Sequence, residues 1–163
     1  MLVSESSENP NVTAIMRRDA PFVAPDDSIA TVARLLVEHR LPGLPVVEND
    51  ELIGIITESD IIMREADVEV PTPVPFFDAI FVADAGPDFD DEVRRVLAVD
   101  ARHLMTAPVV SVRSSATLSE VATLMIDRNV NPLPVLDDRL RLVGLVSRAD
   151  LVRVISALEN QDA

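Results

Sequence analysis

Two short stretches carry the residues best able to do chemistry: Gly54-Ile55-Ile56-Thr57-Glu58-Ser59-Asp60 and Gly144-Leu145-Val146-Ser147-Arg148-Ala149-Asp150. Each reads glycine, two aliphatics, a hydroxyl, two variable positions and an aspartate. At the start of a helix such a pair can do two jobs. The hydroxyl and the carboxylate can cap the helix by accepting free backbone N–H groups. The same groups can hold a ligand. A carboxylate accepts hydrogen bonds from two vicinal hydroxyls, as on a ribose, while a hydroxyl and the helix N–H groups hold a phosphate. Capping alone accounts for either stretch taken singly. Stated twice in register, the motif points to a paired binding device.

The two copies differ after the hydroxyl, where the first has Glu58 and the second Arg148. If these side chains face the ligand, Glu58 repels a phosphate and Arg148 attracts one. A charge-assisted hydrogen bond is worth about 1.5–3 kcal/mol. Unequal sites are expected, the one holding Asp150 and Arg148 being the tighter for a phosphorylated ligand.

Other candidates are weaker. His39 and His103 are the only histidines, and each reads as a surface or capping residue. Arg17, Arg18 and Arg40 could reach a phosphate, but as isolated cations they read as solvated. The acidic run Asp84 to Glu92 misplaces the glycine that a calcium loop needs and reads as a solvated helix start. With four glycines there is no Gly-rich phosphate loop. No nucleophile–base set stands out, so a binding protein and not an enzyme is expected.

The motifs must be positioned by the elements around them. Leu52 to Ile56 is an apolar run that feeds directly into a helix reaching about Ala66. Before it, Ala20 to Val23 reads as a short strand. Ser28 to about Arg40 reads as an amphipathic helix, with Ile29, Val32, Ala33, Leu36 and Val37 at helical spacing. Leu41-Pro42-Gly43 stops that helix. Leu44 to Val47 and Glu51 to Ile56 form a hairpin about Glu48-Asn49-Asp50. The unit is β-α-β-β-α. It recurs from Met105-Thr106-Ala107-Pro108-Val109-Val110-Ser111-Val112 onward. A helix opens near Ser115 to Leu118, a hairpin turns at Asp137-Asp138-Arg139, and a last helix runs from Ser147 to about Leu158. Met16 and Met105 are 89 residues apart, as are Pro45 and Pro134, whereas Gly54 and Gly144 are 90 apart. One residue has been added in the hairpin turn, where insertion is cheapest. Two copies of so long a period suggest a pseudo-twofold pair.

Five segments follow: a disordered lead-in at 1–11, a first repeat at 12–66, an insert at 67–101, a second repeat at 102–159 and a tail at 160–163. The insert is proline-rich and then apolar. Val70 to Pro75 should be extended, Phe76 to Ala83 a buried strand or short helix, and Asp88 to Val99 a helix. It holds four of the five phenylalanines (76, 77, 81 and 89).

The whole chain sets outer limits. Its 163 residues are 48% hydrophobic, enough for a good core and against wholesale disorder. No unbroken apolar run approaches membrane-spanning length, and the Ser/Glu-rich start lacks the features of a signal peptide. Cysteine is absent, which excludes disulfides and thiolate metal sites. A cytoplasmic location is expected. The net charge is −14 and all fourteen basic residues are arginine. Such a surface argues against nucleic acid and anionic membranes as partners.

The twice-stated pattern of Leu-Pro-Val-Val (Leu44 to Val47), with its echo Leu133-Pro134-Val135-Leu136, followed by Gly-h-h-Thr/Ser-x-x-Asp, resembles the CBS (cystathionine β-synthase) domain pair. The resemblance covers roughly residues 12–66 and 102–159. It implies an α/β (α+β) fold: two β-α-β-β-α repeats packed about a pseudo-twofold axis, with the insert between them. It implies two clefts that hold adenosine-containing ligands such as AMP, ADP, ATP or S-adenosylmethionine, with no cofactor required. It implies a regulator or sensor, often dimeric, here expected as a homodimer acting on an unknown protein partner, since two repeats leave no room for a catalytic domain. By that analogy Asp60 and Asp150 take the ribose, and Thr57 and Ser147 the phosphate side. One cleft should combine Pro21, Leu41 and Pro42 with Leu145, Ser147 and Asp150. The other should combine Val110, Val130 and Asn131 with Ile55, Thr57 and Asp60. The competing expectation is a ligand-independent dimerisation module that uses Phe76, Phe77 and Phe81 as its interface.

Overall fold

The computed structural model describes residues 10–65, 74–76, 79–81 and 100–161. A single helical turn at Val12–Ala14 precedes α1 (Ile29–His39), β1 (Gly43–Glu48), β2 (Glu51–Thr57) and α2 (Glu58–Glu65). In the insert, β3 (Val74–Phe76) pairs antiparallel with β4 (Ala79–Phe81). Then come α3 (Ala101–Leu104), β5 (Val112–Arg113), α4 (Leu118–Asp127), β6 (Leu133–Leu136), β7 (Leu142–Val146) and α5 (Arg148–Gln161). No helix among the described residues is long and apolar enough to cross a membrane.

Local chemistry sets the ends of these elements. The Ser28 hydroxyl accepts from the Thr31 N–H at 3.2 Å and starts α1. Thr117 and Glu120 form a reciprocal capping box at α4. Both helices are followed by a residue in the left-handed region, Arg40 (φ 51°) and its counterpart Asn129 (φ 49°). The Asn49-Asp50 turn has both φ values positive, the two-residue geometry that keeps hairpin strands aligned. β1 and β2 pair antiparallel with Leu44 opposite Ile56; β6 and β7 do so with Leu133 opposite Val146. The register slips once in each hairpin, after Val46 and after Val135, at equivalent points of the repeat.

The expected strands ahead of the two long helices are short. Val23 makes only a parallel bridge to Val46, and β5 pairs over two residues with β6. Of Phe76 to Ala83, expected as a buried strand or short helix, Phe76 and Ala79–Phe81 belong to the β3–β4 pair and the rest lie outside the described residues. The expected helix from Asp88 to Val99, the lead-in Met1 to Asn9 and the Phe76, Phe77 and Phe81 side chains lie outside the described residues.

The repeats exchange their leading segments. Val12 and Met16 are buried in the core of the second half, against Val112, Val121, Met125, Leu133 and Val146. Ala101 and Leu104 are buried in the core of the first half, with Val32, Leu36, Leu44 and Ile56. Backbone hydrogen bonds fix the exchange: Arg17 and Leu145 bond reciprocally at 2.8 and 3.0 Å, and Thr106 and Ile55 at 2.8 and 3.1 Å. Arg17 and Thr106 are equivalent positions, 89 residues apart.

This exchange gives the two motif glycines their role. A methyl group added at Gly54 would collide with the Met105 side chain, and one at Gly144 with that of Met16. Each glycine clears a floor for the methionine of the other half. α3 is held for the same purpose by Asp100, whose carboxylate accepts the His103 N–H at 3.1 Å. Desolvation pushes the Asp100 carboxyl up, but hydrogen bonds from the His103 ring and backbone together outweigh it and hold it below its ordinary range.

Candidate functional site

Where β2 runs into α2, Thr57 and Asp60 lock together. The Thr57 N–H and hydroxyl donate to Asp60 Oδ2 at 2.8 and 3.0 Å. The Asp60 N–H returns to the Thr57 hydroxyl oxygen at 3.4 Å. This is the cap expected from sequence, and it uses only one carboxylate oxygen. Oδ1 of Asp60 receives no hydrogen bond among the described residues. Asp60 is 6% exposed, and these bonds fix the direction of its carboxylate.

Asp60 lines a cleft of about 470 Å³ between the halves. Ile55 and Thr57 line it from the same side, and Val110, Val130 and Asn131 from the other repeat. All six residues expected together on this cleft are together. Sequence reasoning missed Thr106, Pro108, Ser59 and Asn129, which also face it. Thr106 follows Met105 where the leading segment crosses to the other half, and nothing local in the sequence marks that crossing.

Arg148 also lines this cleft, a correction to its expected pairing with Asp150. Its guanidinium turns back toward the end of α4 and donates to the Met125 carbonyl at 3.3 Å and to Asn129 Oδ1 at 3.2 Å. The residue after the hydroxyl thus leans toward its own half's first helix, away from its own aspartate. Asn131 Oδ1 accepts the Arg148 N–H at 3.0 Å, so Asn131 caps α5 and steadies the arginine's base. The cleft joins an available carboxylate oxygen, a hydroxyl, a guanidinium and aliphatic walls.

The equivalent cleft is built differently. Leu41, Pro42 and Ser147 line a hollow of about 430 Å³ with Arg40 and Glu58. Leu145 is buried and lines a separate groove of about 290 Å³ beside Ala20 and Phe22; Pro21, between them in sequence, is half-buried. Asp150 is 2% exposed. Its Oδ2 accepts the Ser147 N–H and hydroxyl at 2.8 and 2.9 Å, copying the first motif. Its Oδ1 is taken: Arg153 donates to it at 2.9 Å and Arg17 Nε pairs with it at 3.6 Å. Arg17 also donates to the His39 carbonyl at 3.1 Å. Arg17 is therefore not the solvated cation expected from sequence. Arg148 and Asp60 thus line one cleft, while Asp150 faces Arg17 and Arg153.

Known proteins agree with this architecture. The CBS domain profile matches residues 12–67 and 101–157. The MJ1426 protein of Methanocaldococcus jannaschii is 30% identical over 138 residues, covering 80% of this chain and 82% of its own. The crystal structure of CBSX2, an Arabidopsis thaliana protein, in complex with AMP superposes with a TM-score of 0.73 at 23% identity, covering 91% of this chain and 98% of that one. The CBS domain pair of protein MJ0100, in complex with 5-methylthioadenosine and S-adenosyl-L-methionine, superposes with a TM-score of 0.66 at 25% identity, covering 90% and 99%. Two β-α-β-β-α repeats about a pseudo-dyad, a hydroxyl–aspartate cap at the last helix of each, and a profile match to both repeats make this chain a member of the CBS domain family.

Proposed function

We propose that this CBS pair is a regulatory module that binds an adenosine-containing ligand, with AMP as the best fit, in the Asp60 cleft. The observation that carries the reading is the available Oδ1 of Asp60, on the same cleft as Arg148 and the Thr57 hydroxyl. Asp60 Oδ1 accepts from the ribose hydroxyls. Thr57, Thr106 and Arg148 serve the phosphate. Ile55, Val110 and Val130 sandwich the base. Glu58 also lines the cleft and works against the extra charge of ADP or ATP. CBSX2 with AMP and the MJ0100 pair with two adenosine compounds support the ligand class. Thr57 and Asp60 are tied to one another as a cap, which suits holding a ligand and not transforming it. No resident cofactor enters this reading, and an acidic, cysteine-free chain suits the cytoplasm.

The signal is a change in packing or assembly. Both leading segments cross the dyad beside the clefts, so a ligand that favours one spacing of the halves shifts the whole pair. Exposed apolar residues come in equivalent couples, Val37 with Ile126 and Ile62 with Val152, each more than 60% exposed. They fit a homodimer whose second copy covers them, itself the platform for a regulated protein.

A titration panel of AMP, ADP, ATP, adenosine, S-adenosylmethionine and GMP tests the ligand class. AMP is expected to raise the melting temperature and to bind more tightly than ATP. No stabilisation by any adenosine compound at millimolar concentration would overturn the reading. Light scattering on the wild type and on Val152→Glu tests the dimer, which the variant should break.

A further inference from the structure

We infer that the second cleft is closed by the protein's own Arg17, so that each chain takes one nucleoside ligand and not two. The inference deepens the proposed function and rests on it for stoichiometry, but not for the closure itself.

The two leading segments deliver equivalent residues to equivalent places. Thr106 bonds reciprocally to Ile55 and lines the Asp60 cleft. Arg17 bonds reciprocally to Leu145, which carries its side chain to Asp150. The backbone step is the same; the side chain is a short hydroxyl in one case and a guanidinium in the other. Arg17 Nε pairs with Asp150 Oδ1 at 3.6 Å, and its Nη1 reaches across to the His39 carbonyl at 3.1 Å. Arg153 holds the same carboxylate oxygen from the next helical turn at 2.9 Å, where the first half has Met63. The oxygen that would accept a ribose diol thus faces two cations.

A buried carboxylate is costly unless paired, and a neutral diol is a poorer partner for it than a guanidinium. A ligand must therefore displace Arg17 before it can use Asp150, and would leave that guanidinium without its carboxylate. The Asp60 side asks no such exchange, because its Oδ1 carries no hydrogen bond among the described residues. Arg17 acts as a tethered occupant of the second site.

The test copies the first cleft into the second. Calorimetry with AMP and with adenosine is run on the wild type, on Asp60→Asn and on Arg17→Thr/Arg153→Met, which installs the residues found at Thr106 and Met63. One ligand per wild-type chain is expected, none in Asp60→Asn, and two adenosines in the double variant. Two ligands per wild-type chain, or a double variant still at one, would overturn the closure. If no nucleoside binds the wild type, the proposed ligand class fails, and the closure is then read by NMR of arginine Nε–Hε groups. A slowly exchanging, shifted Arg17 signal that collapses in Asp150→Asn supports it. An Arg17 signal at the free-arginine position, unmoved by Asp150→Asn, overturns it.

Discussion

The two clefts are made by the same chemistry and finished by different neighbours. In each, a hydroxyl and a backbone N–H spend themselves on Oδ2 of the aspartate, at nearly identical distances. The difference lies in what reaches Oδ1. At Asp150 two arginines do; at Asp60 no described donor does. The second difference is at the residue after the hydroxyl. Arg148 contributes its charge to the Asp60 cleft and Glu58 faces both. A motif therefore marks where a cleft can be, while residues far off in sequence decide whether it is open.

The largest expected effect concerns the exchange that builds both clefts. Leu104 precedes the second repeat in sequence but is buried in the core of the first. Leu104→Ala should cost about 2–5 kcal/mol, as large-to-small core changes do. Hydrogen exchange should show the loss in β1, β2 and α1, and protection lost first in β6 and β7 would break the exchange. Next, Asp60→Ala should weaken AMP by roughly 10- to 150-fold, the worth of about 1.5–3 kcal/mol for hydrogen bonds to a charged acceptor. Arg148→Met should weaken AMP and leave adenosine nearly unchanged. Equal losses for both ligands would remove Arg148 from the phosphate side.

Smaller still, Gly144→Ala forces Met16 off its floor and should cost about 1–3 kcal/mol in a thermal melt. Gly54→Ala should cost a similar amount through Met105, since the crowding is alike. The smallest effect is at Glu58. Removing an exposed like charge is worth less than about 1 kcal/mol. Glu58→Gln should tighten ATP by a few-fold and AMP by less. An unchanged ratio of ATP to AMP affinity would show that Glu58 does not face the phosphates.

Much of this was legible because the repeat supplied its own control. The helix starts at Ser28 and near Ser115 to Leu118, the hairpins and the strand-to-helix junctions all follow from periodicity and turn chemistry that act within a few residues. The grouping of Val110, Val130 and Asn131 with Asp60 came through the resemblance to a family whose halves face each other. What stayed hidden was partner choice across the dyad. Nothing local to Met16-Arg17 says that the methionine lies on Gly144 or the arginine on Asp150. Arg148 was misplaced for a related reason: its spacing from Asp150 is fixed by the helix, but its direction is set by the Met125 carbonyl and Asn129. The apolar stretch after Pro75 could be read as strand or short helix but given no packing partner.

The exchanged leading segments also bear on how the chain is born. The first half leaves the ribosome without Ala101 and Leu104, and these are fully or almost fully buried in its core. It waits through β3, β4 and the rest of the insert for that plug to arrive. The second half, by contrast, finds Val12 and Met16 already made. Nascent first repeats therefore spend the interval with an unfilled apolar groove over β1 and β2, the stage at which such a chain is most exposed to aggregation.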